Sequence, residues 1–147
     1  MRWVTRKQPH VDRCASAWLI KRFIDPEAEF TFIERHDPIP EGAIAFTLPG
    51  AEIKPMEGVS TTYDALMERY GVTDPVARAM QAAIRDFEID AAEDLSRVRR
   101  PESAGIALIL RGLARVSDSD EQIVERAMVI LDALAAEMRA RGMTLSL

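Results

Sequence analysis

A histidine, an aspartate and an arginine stand within four residues of one another near the start of the chain, at His10, Asp12 and Arg13. An apolar stretch follows them and predicts a helix over residues 10–24 that stops before Pro26. The first turn of a helix has backbone N–H groups without intrahelical partners and the positive end of the helix dipole. The three residues therefore predict either an elaborate helix cap or part of a binding site.

The predicted helix carries polar side chains along one edge. His10, Arg13, Cys14, Ala17 and Lys21 follow a helical spacing close to one stripe, and tryptophan and leucine side chains occupy the opposite stripe. This pattern predicts an amphipathic helix whose polar edge is cationic apart from the aspartate at its start.

Small inorganic anions suit this polar edge. Arg13 would bind an oxyanion through two hydrogen bonds, with first-turn N–H groups as further donors. His10 would donate another hydrogen bond, and Asp12 would orient the arginine or the histidine. Lys21 and Arg22 would lie on the rim of the site. A tetrahedral dianion needs at least two cationic or N–H donors, so the leading hypothesis is an oxyanion-binding module.

A divalent-metal enzyme is the alternative. His10 and Asp12 are suitable ligands, and Glu102 begins a later predicted helix with its own carboxylate. Zinc, manganese or iron would accept such a set, and the same groups would serve in acid–base chemistry. Their spacing is not a recognised ligand motif. His36, in a loop after a predicted strand, is a weaker ligand candidate, so the sequence leaves binding module and enzyme open.

Composition narrows the class of protein. The 147 residues carry a net charge of −5, although the first 24 contain six basic groups and one acid, and no aromatic residue interrupts the basic run at 97–100. An acidic chain of this kind is not expected to bind nucleic acid. No apolar run is long enough for a membrane span, and no signal segment is evident, which predicts a cytoplasmic protein. The single cysteine, Cys14, allows no intramolecular disulfide and is predicted to be buried.

The order of elements predicts the fold class. Strands are expected at residues 3–5, 29–33 and 43–48, with the first helix between the first two strands. Helices are then expected from Thr61 or Thr62 to Tyr70, from Pro75 to about Ile89, over 101–116, and from about 120 to Gly142. The prediction is one α+β domain over residues 1–147, with a β-α-β-β sheet unit followed by about four helices. The apolar stripe of the last helix also suits a homodimer.

Specific blocks of sequence lie along nearly the whole chain: Trp3–Arg6, His10–Arg13, Ala17–Phe30, Thr62–Leu66, Tyr70–Gly71, Pro101–Gly105 and Asp132–Leu134. With these blocks the chain resembles the C-terminal domain of the chromate-resistance protein ChrB, a family also described as chromate resistance exported proteins. The resemblance implies a bacterial stress response in which the domain senses or binds an oxyanion such as chromate or sulfate. Longer family members carry an N-terminal regulatory part, whose DNA-binding role is not expected for this chain alone.

The family pattern departs from this chain at two positions. Met56 stands where the family usually has a histidine, and Thr61 stands where a cysteine is frequent. If the family binds a metal through that histidine, this chain lacks one ligand. The resemblance therefore shifts the expectation from a metal towards an anion and leaves His10, Asp12, Arg13 and Glu102 as the matching polar positions.

Overall fold

The computed structural model of the protein describes residues 1–143, which form a three-stranded sheet and five α-helices. The strands are β1 (Arg2–Arg6), β2 (Glu29–Ile33) and β3 (Ile44–Ala45). The helices are α1 (Val11–Leu19), α2 (Thr62–Tyr70), α3 (Pro75–Arg85), α4 (Pro101–Val116) and α5 (Asp120–Ala140). Wider π-helical turns extend α1 over Ile20–Ile24 and α3 over Asp86–Asp90, and a short 3₁₀ turn covers Leu95–Arg97. The predicted α+β architecture, with four helices after the sheet unit, is confirmed.

All strand pairs are parallel, and the order is β2-β1-β3 with β1 in the centre. The chain leaves β1 through α1 to reach β2 on one side, and β3 pairs on the other side. The strand order therefore reverses beside β1. In parallel sheets the crevice outside the carboxyl ends of strands at such a reversal is the usual place for a ligand.

The third strand is shorter than the predicted range of 43–48. Thr47 adopts a left-handed φ of 56°, which an extended strand does not allow. Its N–H donates instead to the carbonyl of Ile53, and Phe46 forms an isolated parallel bridge to the same residue. The segment after β3 thus turns towards the loop that leads to α2.

Helix α1 lies at the centre of the core. The prediction that one edge of this helix is polar is wrong. Cys14 is fully buried and Ala17 is 2% exposed, and every residue from Cys14 to Ile20 is buried. The reason is that α2, α4 and α5 all pack against this helix, so no side along its length is left to solvent. Histidine and charged side chains occur only at its two ends, with His10, Asp12 and Arg13 before the core and Lys21 and Arg22 after it.

Burial also determines the chemistry of Cys14, as the sequence predicted. Loss of solvent around the thiol raises the pKa of Cys14 to about 12. We expect no reaction with a thiol reagent such as Ellman's reagent in the native state at pH 8, and one reactive thiol per chain in denaturant. Rapid labelling of the native protein would contradict this assignment.

The start of α2 is fixed by two sets of side chains. Thr61 is the N-cap, and it forms a capping box with Asp64, whose carboxylate accepts the Thr61 N–H at 2.9 Å. The next two N–H groups, of Thr62 and Tyr63, donate to Asp12 at 2.8 and 3.1 Å. At the other end Gly71 adopts the left-handed conformation of a C-cap, with φ 63°. The predicted bounds of this helix are therefore confirmed.

Candidate functional site

A cavity of about 500 Å³ opens at the carboxyl ends of β1 and β3. Its walls are the first turn of α1 with His10 before it, Thr47 after β3, the loop over residues 55–61, and residues 88–93 after α3. The cavity thus lies at the reversal of strand order, and it receives the three polar residues that the sequence places at the start of α1. Hydroxyl groups of Thr47, Ser60 and Thr61 also line it.

Arg13 lines this cavity, and the hydrogen bonding of its guanidinium is incomplete. Its Nη2 donates to the carbonyl of Gln8 at 2.6 Å, whereas its buried Nε has no hydrogen-bond partner among the described residues. The guanidinium also takes part in no ion pair within residues 1–143. Burial lowers the pKa of Arg13, and the nearby Arg6 lowers it further. The cavity wall therefore contains a desolvated cation without a protein counterion, an arrangement that an anion would relieve.

The backbone holds this arginine in place. Gln8 adopts a left-handed φ of 58°, and its N–H donates to the Asp120 carboxylate at 3.1 Å, while its carbonyl accepts from Arg13. The connection from β1 to α1 is thus tied to the start of α5 and to the arginine itself. His10 forms no side-chain cap on α1, which leaves the first-turn N–H groups of this helix available to a ligand.

Asp12 does not orient Arg13 or His10 as predicted. Both its oxygens accept backbone N–H groups of α2, and the Ser16 hydroxyl donates to it at 3.4 Å. Neighbouring side chains on a helix point about 100° apart, so Asp12 and Arg13 face different partners. Burial raises the pKa of Asp12 although these hydrogen bonds oppose the rise. Asp12 therefore joins the starts of α1 and α2 and shapes the wall of the cavity.

His10 is exposed and lines the cavity beside Arg13. Partial burial lowers the pKa of His10, and the positive charges of Arg13 and Arg111 lower it further. The imidazole is therefore neutral at pH 7 and offers one N–H donor and one nitrogen acceptor to a ligand.

Two glutamates complete the cavity, and the sequence analysis missed them. Glu88 and Glu93 both line it. Burial and the neighbouring Glu93 and Asp12 raise the pKa of Glu88 to about 8, so this side chain keeps a proton at neutral pH. Glu93 also lies 3.7 Å from Arg111. No local motif marks these residues, because they reach Arg13 only through the packing of α3 and its extension.

Lys21 and Arg22 lie at the opposite end of α1 and do not line the cavity. Lys21 Nζ donates to the carbonyl of Ala28 at 3.0 Å. Arg22 forms two hydrogen bonds with Asp132, at 2.9 and 2.8 Å, and Trp18 Nε1 donates to the same carboxylate. The structure therefore places both side chains in contacts between elements rather than on the rim of the site.

Replacing Arg22 with alanine tests this separation. We expect a loss of about 1 kcal/mol in the free energy of unfolding, because the ion pair with Asp132 is bidentate but partly exposed. Anion affinity should stay within twofold of wild type. Chemical denaturation measures the free energy of unfolding, and anion titration measures the affinity. A tenfold loss of affinity would contradict the placement of Arg22 outside the cavity.

The predicted metal residues are not brought together. Among residues 1–143, no group of three or more histidine, cysteine, aspartate and glutamate side chains is arranged to hold a metal ion. Glu102 lies at the start of α4, 3.7 Å from Arg100, and is outside the cavity. His36 is exposed in a turn after β2. The donors present therefore do not fit a metal site made of His10, Asp12 and Glu102.

Comparison with known proteins identifies the family. The family model described as "ChrB, C-terminal domain" matches residues 3–138. The chain belongs to the ChrB C-terminal domain family. The curated protein ChrB of Cupriavidus metallidurans is 29% identical over 132 residues, which are 90% of this chain and 39% of that protein. This chain thus spans about two fifths of that relative, and no solved structure matches it significantly.

The two departures from the ChrB pattern both concern the cavity. Thr61 lines it directly, and Met56 is exposed between Pro55 and Glu57, which line it as well. Of the two positions at which the resemblance predicted histidine and cysteine, Thr61 thus lines the cavity that contains Arg13, and Met56 lies between two residues that line it. Within the described residues, no helix has the length and apolar character needed to cross a membrane.

Proposed function

We propose that this ChrB domain binds a tetrahedral oxyanion in the cavity at the start of α1 and that it senses or sequesters chromate in chromate resistance. The observation that carries the proposal is Arg13, a largely buried cation whose Nε has no partner and whose guanidinium has no counterion among the described residues. A cation in that state is stabilised by any anion that restores its lost solvation.

Three further features support the same ligand class. The first turn of α1 contributes uncapped N–H groups. His10 is a neutral donor, and three residues with hydroxyl groups, Thr47, Ser60 and Thr61, also line the cavity. The volume of about 500 Å³ exceeds what one tetrahedral anion needs, so ordered water would share the cavity.

Calorimetric titration of the purified protein with chromate tests the proposal. We expect saturable binding at pH 7, and at least a tenfold loss of affinity in Arg13→Ala, which corresponds to about 1.4 kcal/mol. Arg13→Lys should recover part of the loss, because lysine keeps the charge but not the planar set of donors. Arg22→Ala removes the same charge outside the cavity and is the matched control. Unchanged binding in Arg13→Ala would contradict the proposal.

The alternative function, a divalent-metal enzyme, is tested by a separate measurement. The cavity contains the carboxylates of Asp12, Glu57, Glu88 and Glu93 together with His10, and such a lining attracts cations. Metal analysis of untagged protein before and after treatment with a chelator distinguishes the cases. About one metal per chain, lost together with thermal stability, would favour the enzyme over the oxyanion module.

A further inference from the structure

The charges of the cavity do not suit a fully ionised dianion. The carboxylates of Asp12, Glu57 and Glu93, beside the protonated Glu88, stand against one guanidinium and a neutral imidazole. A sulfate ion would bring two further negative charges to the carboxylates, in a place where burial weakens solvent screening. The ligand of this cavity must therefore be compatible with nearby carboxylates as well as with Arg13.

Given the proposed oxyanion site, on which this inference rests, we propose that the cavity selects oxyanions that carry their own proton and that the Glu88–Glu93 pair accepts that proton in a hydrogen bond. The selected class is the hydrogen oxyanions, such as hydrogen chromate and hydrogen phosphate. Sulfate and selenate, which have no proton at neutral pH, are excluded from it.

The pair is built to act as an acceptor. Glu88 and Glu93 both line the cavity, and Glu93 lies 3.7 Å from Arg111. Glu93 pairs with Arg111, and a carboxylate accepts hydrogen bonds but does not donate them, so its oxygens can bind an oxyanion only through a proton that the ligand carries. A hydroxyl of the ligand provides that donor, and no covalent bond forms or breaks. An anion without a proton meets the carboxylate as a like charge and is repelled.

Chromate and sulfate differ in this one property. They are tetrahedral dianions of similar shape, yet near neutral pH chromate exists partly as the hydrogen chromate monoanion, whereas sulfate is fully ionised. A site made only of cationic donors would bind both, but a carboxylate acceptor penalises sulfate. The Glu88–Glu93 pair would therefore let a chromate-responsive protein ignore the sulfate that surrounds it.

Binding should then depend on pH. The ligand must bring a proton of its own, so affinity for chromate falls as pH rises from 6.5 to 9. The other titratable groups around the pair are His10, Asp12, Arg13, Glu57 and Arg111. Of these, His10 and Arg13 have a lowered pKa and Asp12 is held by α2, so the ligand and the glutamate pair dominate the change between pH 6.5 and 9.

Competition titrations on the full chain test this inference. Calorimetry measures the affinity for chromate, hydrogen phosphate, sulfate and selenate at pH 6.5, 7.5 and 9. The titrations compare wild type with Glu88→Gln and Glu93→Gln. Wild type should bind the two protonated anions at least tenfold more tightly than sulfate and selenate at pH 6.5. Glu93→Gln should reduce that ratio of affinities below threefold, chiefly by strengthening the binding of sulfate. The affinity of this variant for chromate should also depend less on pH.

Glu52→Gln is the matched control for net charge. Glu52 pairs with Arg69 at 2.8 Å and does not line the cavity, so this variant should keep the wild-type ratio. Equal binding of chromate and sulfate by wild type, with no change of ratio in Glu93→Gln, would overturn the inference and leave the oxyanion site intact. Absence of binding by all four anions would instead overturn the proposed function itself.

Discussion

Asp12→Ala is expected to lower the free energy of unfolding by about 2–5 kcal/mol, the largest single effect that we predict. Its carboxylate accepts the N–H groups of Thr62 and Tyr63, two fully buried residues at the start of α2. Alanine would leave both donors unsatisfied, and each buried unpaired donor costs roughly 1–3 kcal/mol. Urea denaturation followed by circular dichroism measures the change.

Two further variants divide this effect. Asp12→Asn keeps one acceptor oxygen but turns an amide towards the second N–H, so we expect about half of the loss. Ser16→Ala removes only the weak hydroxyl contact at 3.4 Å and should cost less than about 1 kcal/mol. If Asp12→Ala were no less stable than Ser16→Ala, the carboxylate would not connect the two helices in solution.

Glu88→Gln should stabilise the protein above neutral pH, by about 1–3 kcal/mol at pH 9, and should change little at pH 4. The pKa of Glu88 rises from an ordinary 4.5 to about 8 through burial and its acidic neighbours. The folded state therefore holds a proton that the unfolded state has lost, and the free energy of unfolding declines as pH rises from about 4.5 to 8. Glutamine is neutral throughout and removes that decline.

Thermal unfolding of wild type and Glu88→Gln at pH 4, 6, 7.5 and 9 measures this difference. The melting curves should coincide at pH 4 and separate progressively between about pH 4.5 and 8, with the variant the more stable. Glu52→Gln serves as control, since its carboxylate is exposed and lies outside the cavity. A constant difference between wild type and Glu88→Gln at every pH would show that Glu88 titrates in the ordinary range.

The sequence was sufficient to predict most of the elements. Proline at Pro75 and Pro101 and the capping pattern at Thr61 act within a few residues, so the starts of three helices could be predicted from local chemistry. The family could also be predicted from the sequence, because the sequence blocks that carry the resemblance are contiguous in the chain. The His10, Asp12 and Arg13 cluster was also visible, since these residues are close in sequence.

Tertiary structure decided which of these side chains share a site. Helical spacing suggested a polar edge on α1, but four helices pack around it and bury Cys14 and Ala17, so charged side chains remain only at its ends. Arg22 meets Asp132 across 110 residues, and this contact lies outside the cavity.

The residues that contact or surround His10, Asp12 and Arg13 likewise could not be predicted from the sequence. Asp12 meets the start of α2 about 50 residues later, and Glu88 reaches the cavity only because α3 packs beside α1. Local rules determine where helices begin and end, because their hydrogen bonds span a few residues. The charge of a cavity depends on which distant elements pack together, and that follows from burial of the whole apolar core.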